Sequence, residues 1–359
     1  MTDTYLIPVP RLSAAMQRLV RGFGSEEAEV QAVATNLIAA NLTGHDSHGI
    51  GMLPRYTDSF LQGGLTPNAH VTTLLDSGSM LRLDGNSGFG QVIGAESMAL
   101  GIERARASGS CIVALGNAHH LGRIGAWAEQ AAAAGMVSMH FANVISRGIV
   151  APHGGSDARF GTNPFTVGIP VAGRDPILLD FATSVIAQGK ARVAHNKGET
   201  VPPGCMLDNK GQSTEVPGYA VVEPFGAILA FGGHKGFGMS VACELLGGAH
   251  AAGLVAGPAT GEHRVLNGML SIILDPKTIA DPAVFEAQTR TFLDWMAASP
   301  PRAGFDRIRL AGEPEREWRA KCLAEGIPVD ANTWNAILEA ARRLKVDPAQ
   351  INRLAGVKV

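Results

Sequence analysis

The stretch GSCIVALGNAHHLGRIGAWAEQAAAAGMVSMHFAN, residues 109–143, contains the pattern that decides the fold. Its two apolar runs, SCIVAL (110–115) and MVSMHFA (136–142), have the length and composition of buried β-strands. Between them, IGAWAEQAAAAG (124–135) is rich in alanine, which favours an α-helix. A strand, a helix and a second strand in this order predict an α/β fold.

The same alternation continues on both sides of this stretch. Apolar runs such as FTVGIPV (165–171) alternate with helical stretches, which predicts an α/β domain over residues 68–275. Residues 1–67 and 276–359 contain mainly helical patterns, including a long helix with Ser25 as its predicted N-cap. We therefore expect the two chain termini to pack together as one separate helical domain.

The composition limits the classes of partner. The chain has 359 residues, of which 46% are hydrophobic and 17% charged, and its formal net charge is −2. It contains no run rich in Lys and Arg, so we expect no nucleic-acid partner and no membrane partner. The four cysteines stand far apart without a CxxC pair, which is typical of reduced thiols. Because the first residues, MTDTYLIPVP, lack the pattern of a signal peptide, we expect a cytoplasmic protein.

Glycine is abundant, at 44 residues, and its excess marks tight turns and close backbone approaches. These glycines do not form a dinucleotide fingerprint. GNSGFGQVIG (85–94) lacks both the GxGxxG spacing and the acidic residue that follows it in a Rossmann unit. The sequence has no Walker-type phosphate loop either. A bound nucleotide therefore needs a non-Rossmann framework.

Two histidines, an aspartate and a serine fall within HDSHG, residues 45–49. Pro54 is tolerated only in the first turn of a helix, so this motif lies at or just outside a helix N-terminus. Three interpretations remain open here: a capped helix start, a metal site, and the acid/base residues of an active site. We predict no metal, because no HExxH motif and no Cys/His cluster accompanies the two histidines.

Further polar residues follow predicted strands, where open α/β sheets bind their ligands. In NAHHLGRIG (117–125), the backbone N–H groups of residues 122–124 are placed to face a phosphate, and a solvated loop is the alternative. In LLDFATS (178–184), Asp180 either partners a catalytic histidine or caps the residues that follow it.

Two glycine-rich segments are further candidates for ligand binding. SRGIVAPHGGSDARFGTNPF (146–165) is a long polar connection, which predicts a binding loop. In FGGHKGFGM (231–239), His234 and Lys235 stand between glycine pairs ahead of an apolar helix. This pattern suits anion binding, with a solvated turn as the alternative.

Together these segments resemble the type-2 malate/L-lactate dehydrogenase family, a set of NAD(P)-dependent oxidoreductases without the Rossmann fold. The matching stretches keep the family's order between residues 45 and 315 and so cover most of the chain. They are HDSHG with PRY, NAHHLGRIG, APHGGSDARFGTNPF, LLDFATS, GHKGFGM and LAGEPE. The resemblance implies a mixed-sheet NAD(P)-binding α/β core beside the helical layer, and a homodimer.

The resemblance also implies roles for residues of this chain. His48 would be the acid/base that moves the proton on the substrate oxygen, assisted by Ser47 and Asp180, and His120 a catalytic or substrate-contacting histidine. A neighbouring carboxylate raises the pKa of a histidine and a helix N-terminus lowers it, so we expect the pKa of His48 to lie near neutrality. The residues expected to bind the cofactor are His48, Gly122, Arg123, Ile124, Ser146, Leu178, Leu179, Asp180, Phe181, Ala182, His234, Lys235, Asn267, Gly312, Glu313, Pro314 and Glu315.

Met52 stands where most members of that family carry an arginine that suits a substrate carboxylate. Arg55 follows His48 by seven residues, and the spacing predicts that both lie on one helical face. We expect Arg55, slightly ahead of Arg147, to supply the missing contact. The predicted substrate contacts are Met52, Arg55, Arg147 and Thr162.

The activity implied is that of an NAD(P)-dependent 2-hydroxy acid dehydrogenase, which in reverse is a 2-oxo acid reductase. Within the family the alternatives are a reductase of cyclic imine carboxylic acids and dehydrogenases of malate, lactate, sulfolactate or ureidoglycolate. A nucleotide-binding module without turnover is the alternative from another class, but binding alone does not need His48, Asp180 and His120. The choice of oxo acid, and of NAD or NADP, stays open.

Overall fold

The computed structural model describes residues 4–251, 253–257 and 265–358. The strands of these residues are β1 (Thr4–Ile7), β2 (Thr72–Ser77), β3 (Met80–Asp84), β4 (Ser110–His119), β5 (Val137–Ile145), β6 (Phe165–Ile169), β7 (Ile177–Phe181), β8 (Met206–Leu207), β9 (Ser213–Thr214), β10 (Ala227–Ile228), β11 (Leu266–Leu274) and β12 (Ile327–Asp330). The α-helices are α1 (Val9–Val20), α2 (Glu27–Leu42), α3 (Leu53–Leu61), α4 (Gly90–Ser108), α5 (Gly125–Ala133), α6 (Gln188–Lys197), α7 (Gly218–Val221), α8 (His234–Cys243), α9 (Pro276–Ile279), α10 (Pro282–Ala297), α11 (Glu313–Glu325), α12 (Ala331–Arg343) and α13 (Pro348–Ala355). Short 3-10 turns cover Arg21–Phe23, Asp46–His48 and Ile50–Met52, and a π-helix covers Glu244–His250.

In the described part of the chain, seven strands form the central sheet in the order β2-β3-β4-β11-β5-β6-β7. β3 and β4 pair in parallel and the other neighbours are antiparallel. β11 lies between β4 and β5, is antiparallel to both, and buries most of its residues. The predicted α/β fold with a mixed sheet is therefore confirmed.

Residues 109–143 provide the centre of this sheet. β4, α5 and β5 follow one another as the alternation predicts. α4 lies against β4, and α5 lies against β5 and β6, with Leu115, Trp127 and Met269 in the core between these elements. The polar residues between β4 and α5 thus lie at the carboxyl end of a central strand, where α/β proteins bind their ligands.

Residues from both ends of the chain share one hydrophobic core. α1 packs against α2 and α13, and β1 pairs with β12. Leu12, Leu37 and Trp334 are fully buried in this core. The helical layer built from both termini is therefore present, while the division into domains at residues 67/68 and 275/276 stays a prediction.

A small third region was not predicted. β8, β9 and β10 form a three-stranded sheet that packs with α6 and α7 around Val150, Ala191 and Met206. Its strands have two residues each, which is too short to produce an alternating pattern in the sequence. α6 contacts the Asp46–His48 turn, so this region forms a wall beside the histidine motif.

Two predictions about the helices need correction. Ser25 is not the N-cap of α2, because Glu26 occupies that position and makes no capping bond with its side chain. α11 was missed, since its charged sequence EPEREWRAKCLAE has little apolar periodicity. None of the described helices is both long and apolar enough to span a membrane.

Candidate active site

One asparagine at the end of α2 holds the Asp46–His48 turn. Asn41 Nδ2 donates to Asp46 Oδ1 (2.6 Å), and Asn41 Oδ1 accepts from the backbone N–H of Ile50 (2.9 Å). Asn41 is only 4% exposed, so these hydrogen bonds are shielded from water. They fix the backbone on both sides of His48.

The prediction that His48 and Arg55 share a helical face is wrong. α3 begins with Pro54 in its first turn, as expected. Gly49, however, has an extended backbone (φ −89°, ψ −154°), which separates the histidine turn from α3. Arg55 still lies near enough to the site for its charge to contribute to the lowered pKa of His120. Its role as a substrate contact therefore stays a prediction, without the helical argument.

His48 is half-buried and uncharged at neutral pH. Its Nδ1 lies 2.9 Å from Ser47 Oγ, and its Nε2 has no hydrogen-bond partner in the described chain. Removal of water from the imidazole lowers its pKa to about 4, and electrostatic interactions with His45 and Arg123 add to the effect. The charge of Asp180 opposes this shift but is too weak to offset it. The prediction that the pKa of His48 lies near neutrality is therefore wrong.

A second imidazole, that of His120, stacks on His48, with ring centroids 5.5 Å apart and planes 18° from parallel. Gln91 Nε2 donates to the hydroxyl oxygen of Tyr56 (2.8 Å), and that hydroxyl is hydrogen-bonded to His120 Nδ1 (2.8 Å). In the tautomer in which the Tyr56 hydroxyl donates to Nδ1, the neutral ring carries its proton on Nε2. Burial lowers the pKa of His120 well below its ordinary value, with His48 adding to the shift. His120 is therefore a neutral imidazole at pH 7.

The adjacent His119 has different surroundings. Its side chain is fully buried, and its ring lies T-shaped against Tyr56 at 5.2 Å. Neither ring nitrogen has a hydrogen-bond partner among the described residues. Burial lowers its pKa to about 3. Of the two neighbouring histidines, it is His120 that stacks on His48.

Asp180 holds the start of α5. Its Oδ2 accepts from the backbone N–H of Gly125 (2.9 Å), and its Oδ1 accepts from the Thr166 hydroxyl (2.7 Å). Within the described chain it makes no hydrogen bond to His48 and acts on that ring through its charge alone. The carboxylate therefore caps a helix, but a helix earlier in the chain rather than the residues that follow it.

Asn267 fixes the turn between β4 and α5. Its Oδ1 accepts from the backbone N–H of Leu121 (2.8 Å), and its Nδ2 donates to the carbonyl oxygen of Asn143 (2.7 Å). Gly122, the next residue of the turn, has φ +71°, a conformation that glycine adopts without strain. The side-chain amide of Asn267 is thus bonded to backbone groups that shape the predicted cofactor turn.

Unpaired polar atoms surround this turn. Asn36 Oδ1, Gln91 Oε1 and Arg123 Nε are buried without a hydrogen-bond partner in the described ranges. Asn36 Oδ1 lies against Gly122, 2.9 Å from where a Cβ would stand. Arg123 is otherwise paired with Glu129 at 2.5 Å. Because unpaired buried polar groups are costly, these atoms fit a ligand with both donors and acceptors, as NAD(P) has.

Residues 311–315 lie along β7. The backbone N–H of Leu178 donates to the carbonyl oxygen of Ala311 (3.2 Å), and Gly312 packs on the Leu178 side chain. α11 begins at Glu313. A cavity of about 430 Å³ opens here, lined by residues of both segments. Two groups of predicted cofactor residues that are distant in sequence therefore meet in space.

The start of α8 lies near the end of β7. The backbone N–H of Phe231 donates to the carbonyl oxygen of Thr183 (3.0 Å), which joins the two segments. His234 and Lys235 are the first residues of α8, where the helix dipole and free N–H groups favour an anion. The position suits the predicted anion contact, which stays a prediction.

The predicted substrate residues have unequal surroundings. Met52 packs against the core shared by the chain ends, and the carbonyl oxygen of Thr162 accepts from the Thr183 N–H (2.9 Å). The Arg147 guanidinium lies over the Phe225 ring at 3.6 Å, just after Ser146, whose hydroxyl donates to the Arg147 carbonyl oxygen (3.1 Å). These contacts hold the side chains of Met52 and Arg147 and the backbone of Thr162, and the roles of all three as substrate contacts stay predictions.

Sequence reasoning missed two residues that shape the site. Asn41 gave no signal, because a buried asparagine at a helix end has no distinctive pattern. Tyr56 belongs to the PRY motif, but its bond to Gln91, 35 residues away, depends on the tertiary fold. No group of three or more His, Cys, Asp or Glu side chains within the described residues is placed to hold a metal ion.

Comparison with known proteins identifies the family of the chain. A family model described as malate/L-lactate dehydrogenase matches residues 7–338. Hydroxycarboxylate dehydrogenase B from Escherichia coli K12 is 48% identical over 336 residues, 93% of this chain and 92% of that protein. An L-lactate dehydrogenase from Cupriavidus necator is 37% identical over 88% of this chain and 90% of its own length. A solved structure from E. coli, described as a malate/lactate dehydrogenase, has a TM-score of 0.94 at 45% identity and covers 98% of this chain and 99% of that one.

Fold and relatives together define an oxidoreductase with a non-Rossmann, mixed α/β core. The chain belongs to the malate/L-lactate dehydrogenase family, which confirms the resemblance carried by its motifs. The stretches NLTGHDSHGIGMLPRY (41–56), DGNSGFGQV (84–92) and HNKGETVPPG (195–204) suggested similarity to bacterial hydroxycarboxylate dehydrogenase B, and the 48% identity bears this out.

Proposed function

We propose that this protein is an NAD(P)-dependent 2-hydroxy acid dehydrogenase, which in the reverse direction reduces 2-oxo acids. The observation that carries the proposal is the stacked pair of neutral imidazoles, His48 and His120, at the carboxyl end of a central strand. Relatives named hydroxycarboxylate dehydrogenase B and L-lactate dehydrogenase support this substrate class. A binding module without turnover has no use for two imidazoles with different hydrogen-bonding states.

The two imidazoles act on one substrate oxygen. Ser47 Oγ and His48 Nδ1 are hydrogen-bonded, and in the tautomer in which Nδ1–H donates, the free Nε2 of His48 accepts the proton of the substrate hydroxyl. His120 donates its Nε2–H to the same oxygen, because its Nδ1 is occupied by the Tyr56 hydroxyl. The hydrogen bond from His120 stabilises the negative charge that develops on the oxygen as the proton leaves.

The direction of the reaction depends on the protonation of His48. A pKa of about 4 keeps its imidazole neutral at pH 7, the form that accepts a proton during oxidation of the alcohol. Reduction needs the imidazolium, and the carboxylate of a bound 2-oxo acid raises the pKa of His48 because opposite charge favours the protonated form. Oxidation should therefore stay active as the pH falls towards 5, and reduction should slow as the pH rises.

The cofactor would be NAD or NADP, which when bound takes or supplies the hydride. The turn 122–124 would hold it through Asn36 Oδ1, Gln91 Oε1 and Arg123 Nε, the unpaired atoms around that turn. The segment 311–315 and the start of α8 would contact its remaining length. In this arrangement Lys235 would lie near a phosphate, since it begins a helix.

Arg55 is the first choice for the carboxylate of the substrate. It is exposed, and it has neither an ion pair nor a hydrogen bond within the described chain. Arg147, in contrast, is partly committed to the carbonyl oxygens of Gly148 and Ala220. An unpaired carboxylate in a closed site is costly, so one of these guanidinium groups must meet it.

We further propose that the protein is a homodimer of the cytoplasm. α10 exposes Trp295 (75%), Phe292 (57%) and Val284 (56%), an apolar face typical of a protein–protein interface. The four cysteines are buried free thiols, which suits a reducing compartment.

A substrate panel tests the function. Purified protein is assayed by nicotinamide absorbance with pyruvate, 2-oxoglutarate, phenylpyruvate and a cyclic imine carboxylic acid, each with NADH and NADPH. We expect reduction of 2-oxo acids that slows as the pH rises. Turnover of the cyclic imine alone, or no turnover with any pair, would overturn the proposal.

A further inference from the structure

Three arginines near the histidines lack ion pairs within the described chain: Arg55 on α3, Arg147 after β5 and Arg192 on α6. We call them the arginine cluster. Arg55 and Arg192 also make no hydrogen bond there, and Arg147 donates only to the carbonyl oxygens of Gly148 and Ala220. Three positive charges thus lie in one region without a bonded acidic side chain.

Two contacts place the first turn of α6. Gln188 Nε2 donates to the carbonyl oxygen of Ala220 (3.1 Å), the atom that also accepts from Arg147 Nη2 (3.2 Å). Gly189 lies so close to Ser47 that a Cβ would stand 2.3 Å from the Ser47 Cβ, an approach that only glycine permits. The first turn of α6 therefore lies between Arg147, with which Gln188 shares the Ala220 carbonyl oxygen, and the Asp46–His48 turn, which Gly189 contacts.

Arg192 lies on the same face of α6 as Gln188 and Gly189. Residues three and four apart on a helix are neighbours, so Arg192 lies one turn, about 5.4 Å, beyond Gly189 and Gln188. Its side chain is partly desolvated by its neighbours but keeps solvent-exposed surface at this position. A ligand that reaches from His48 along α6 would therefore meet its guanidinium.

The charges of the cluster act on one another. The pKa of Arg192 is lowered by partial burial and then by the charge of Arg55. The pKa of Arg147 is lowered by burial, then by Arg55 and Arg192, while Glu223 opposes the shift. Glu223 compensates these like charges only in part, and the remaining repulsion is unfavourable in the free protein and favours binding of an anion.

A substrate with one carboxylate neutralises only one of these charges. We propose that Arg192 binds a second anionic group of the substrate, at the end of its chain away from the reacting carbon, while Arg55 or Arg147 binds the first carboxylate. The preferred substrates are then dianionic 2-oxo acids and the matching 2-hydroxy acids. This inference rests on the proposed function, because it concerns the same site.

The experiment compares 2-oxoglutarate, which ends in a carboxylate, with 2-oxopentanoate, which ends in a methyl group. Arg192→Ala should raise the KM for 2-oxoglutarate about tenfold or more, the typical effect of losing a charge-assisted hydrogen bond, and leave 2-oxopentanoate nearly unchanged. Lys190→Ala is the matched control, since it removes a positive charge two residues away on another face of α6. Added salt should weaken the preference of the wild type for 2-oxoglutarate and leave that of Arg192→Ala unaltered.

The outcomes separate this inference from the proposed function. Equal losses for both acids in Arg192→Ala, or a wild type without preference for 2-oxoglutarate, overturn the inference and leave the dehydrogenase activity standing. If Arg192→Ala changes the KM for NADPH and not that for the oxo acid, Arg192 contacts the cofactor, and this outcome also overturns the inference. Absence of turnover with both acids contradicts the proposed function itself.

Discussion

The histidine side and the arginine side of the candidate site differ in charge. On the histidine side, burial lowers the pKa values of His48 and His120 and raises that of Tyr56, so all three groups are neutral at pH 7. On the arginine side, Arg55 and Arg192 are exposed and charged, without an ion-pair partner in the described chain. The proposed function thus assigns proton transfer to shielded, neutral groups and anion binding to charged groups with exposed surface. Substitutions on the first side should lower kcat, and those on the second should raise KM.

His48→Ala should produce the largest effect. Loss of a positioned acid/base should lower kcat roughly a hundredfold or more, while cofactor affinity changes much less. Steady-state kinetics and titration of NADH fluorescence measure the two quantities, and circular dichroism checks the fold. An unaltered kcat would mean that HDSHG (45–49) only forms a turn and that His48 takes no part in proton transfer.

Tyr56→Phe should come next. It keeps the aromatic ring that packs on Phe89 and His119 but removes the hydroxyl between Gln91 and His120. His120 then loses the bond that sets its tautomer and orientation, and we expect kcat to fall roughly tenfold. The KM for the 2-oxo acid should change little. A raised KM with normal kcat would instead place His120 among the binding groups.

Arg55→Ala should act on KM. Because the guanidinium is exposed and its interactions are screened by water, we expect the KM for 2-oxo acids to rise about threefold to tenfold at unchanged kcat. Arg55→Lys is the control and should recover part of the loss, since it retains the charge without the fork geometry. A fall in kcat alone would show that the two sides of the site are not separate.

His119→Leu should have the smallest effect at pH 7.5 and a visible one at pH 5. The folded pKa of His119 is about 3 against an ordinary 6.5, so below pH 6.5 the unfolded chain binds a proton that the folded chain does not. The wild type therefore loses stability as the pH falls, on the order of 2 kcal/mol at pH 5 from this group. Thermal unfolding at both pH values should show a smaller loss for the variant. Parallel losses in the two proteins would contradict the assignment.

The fold class was predictable because its signals are local. In residues 109–143, apolar runs and an alanine-rich stretch identify β4, α5 and β5 without knowledge of their neighbours. The position of β11 between β4 and β5 was not predictable, since pairing across more than a hundred residues leaves no local pattern. The two-residue strands of the small third sheet were missed for a related reason, because they are too short to show a period.

The sequence by itself determined which chemical groups are available: two histidines in HDSHG, a second pair in NAHHLG, and an aspartate at the end of an apolar run. It could not determine which of the adjacent histidines, His119 or His120, stacks on His48, nor that Asp180 caps α5. Nor could it place the pKa of His48, which was expected near neutrality and is about 4. Only the tertiary structure decided these points, because desolvation and hydrogen-bond partners set the pKa and tautomer of an imidazole, and the packing of distant segments supplies both.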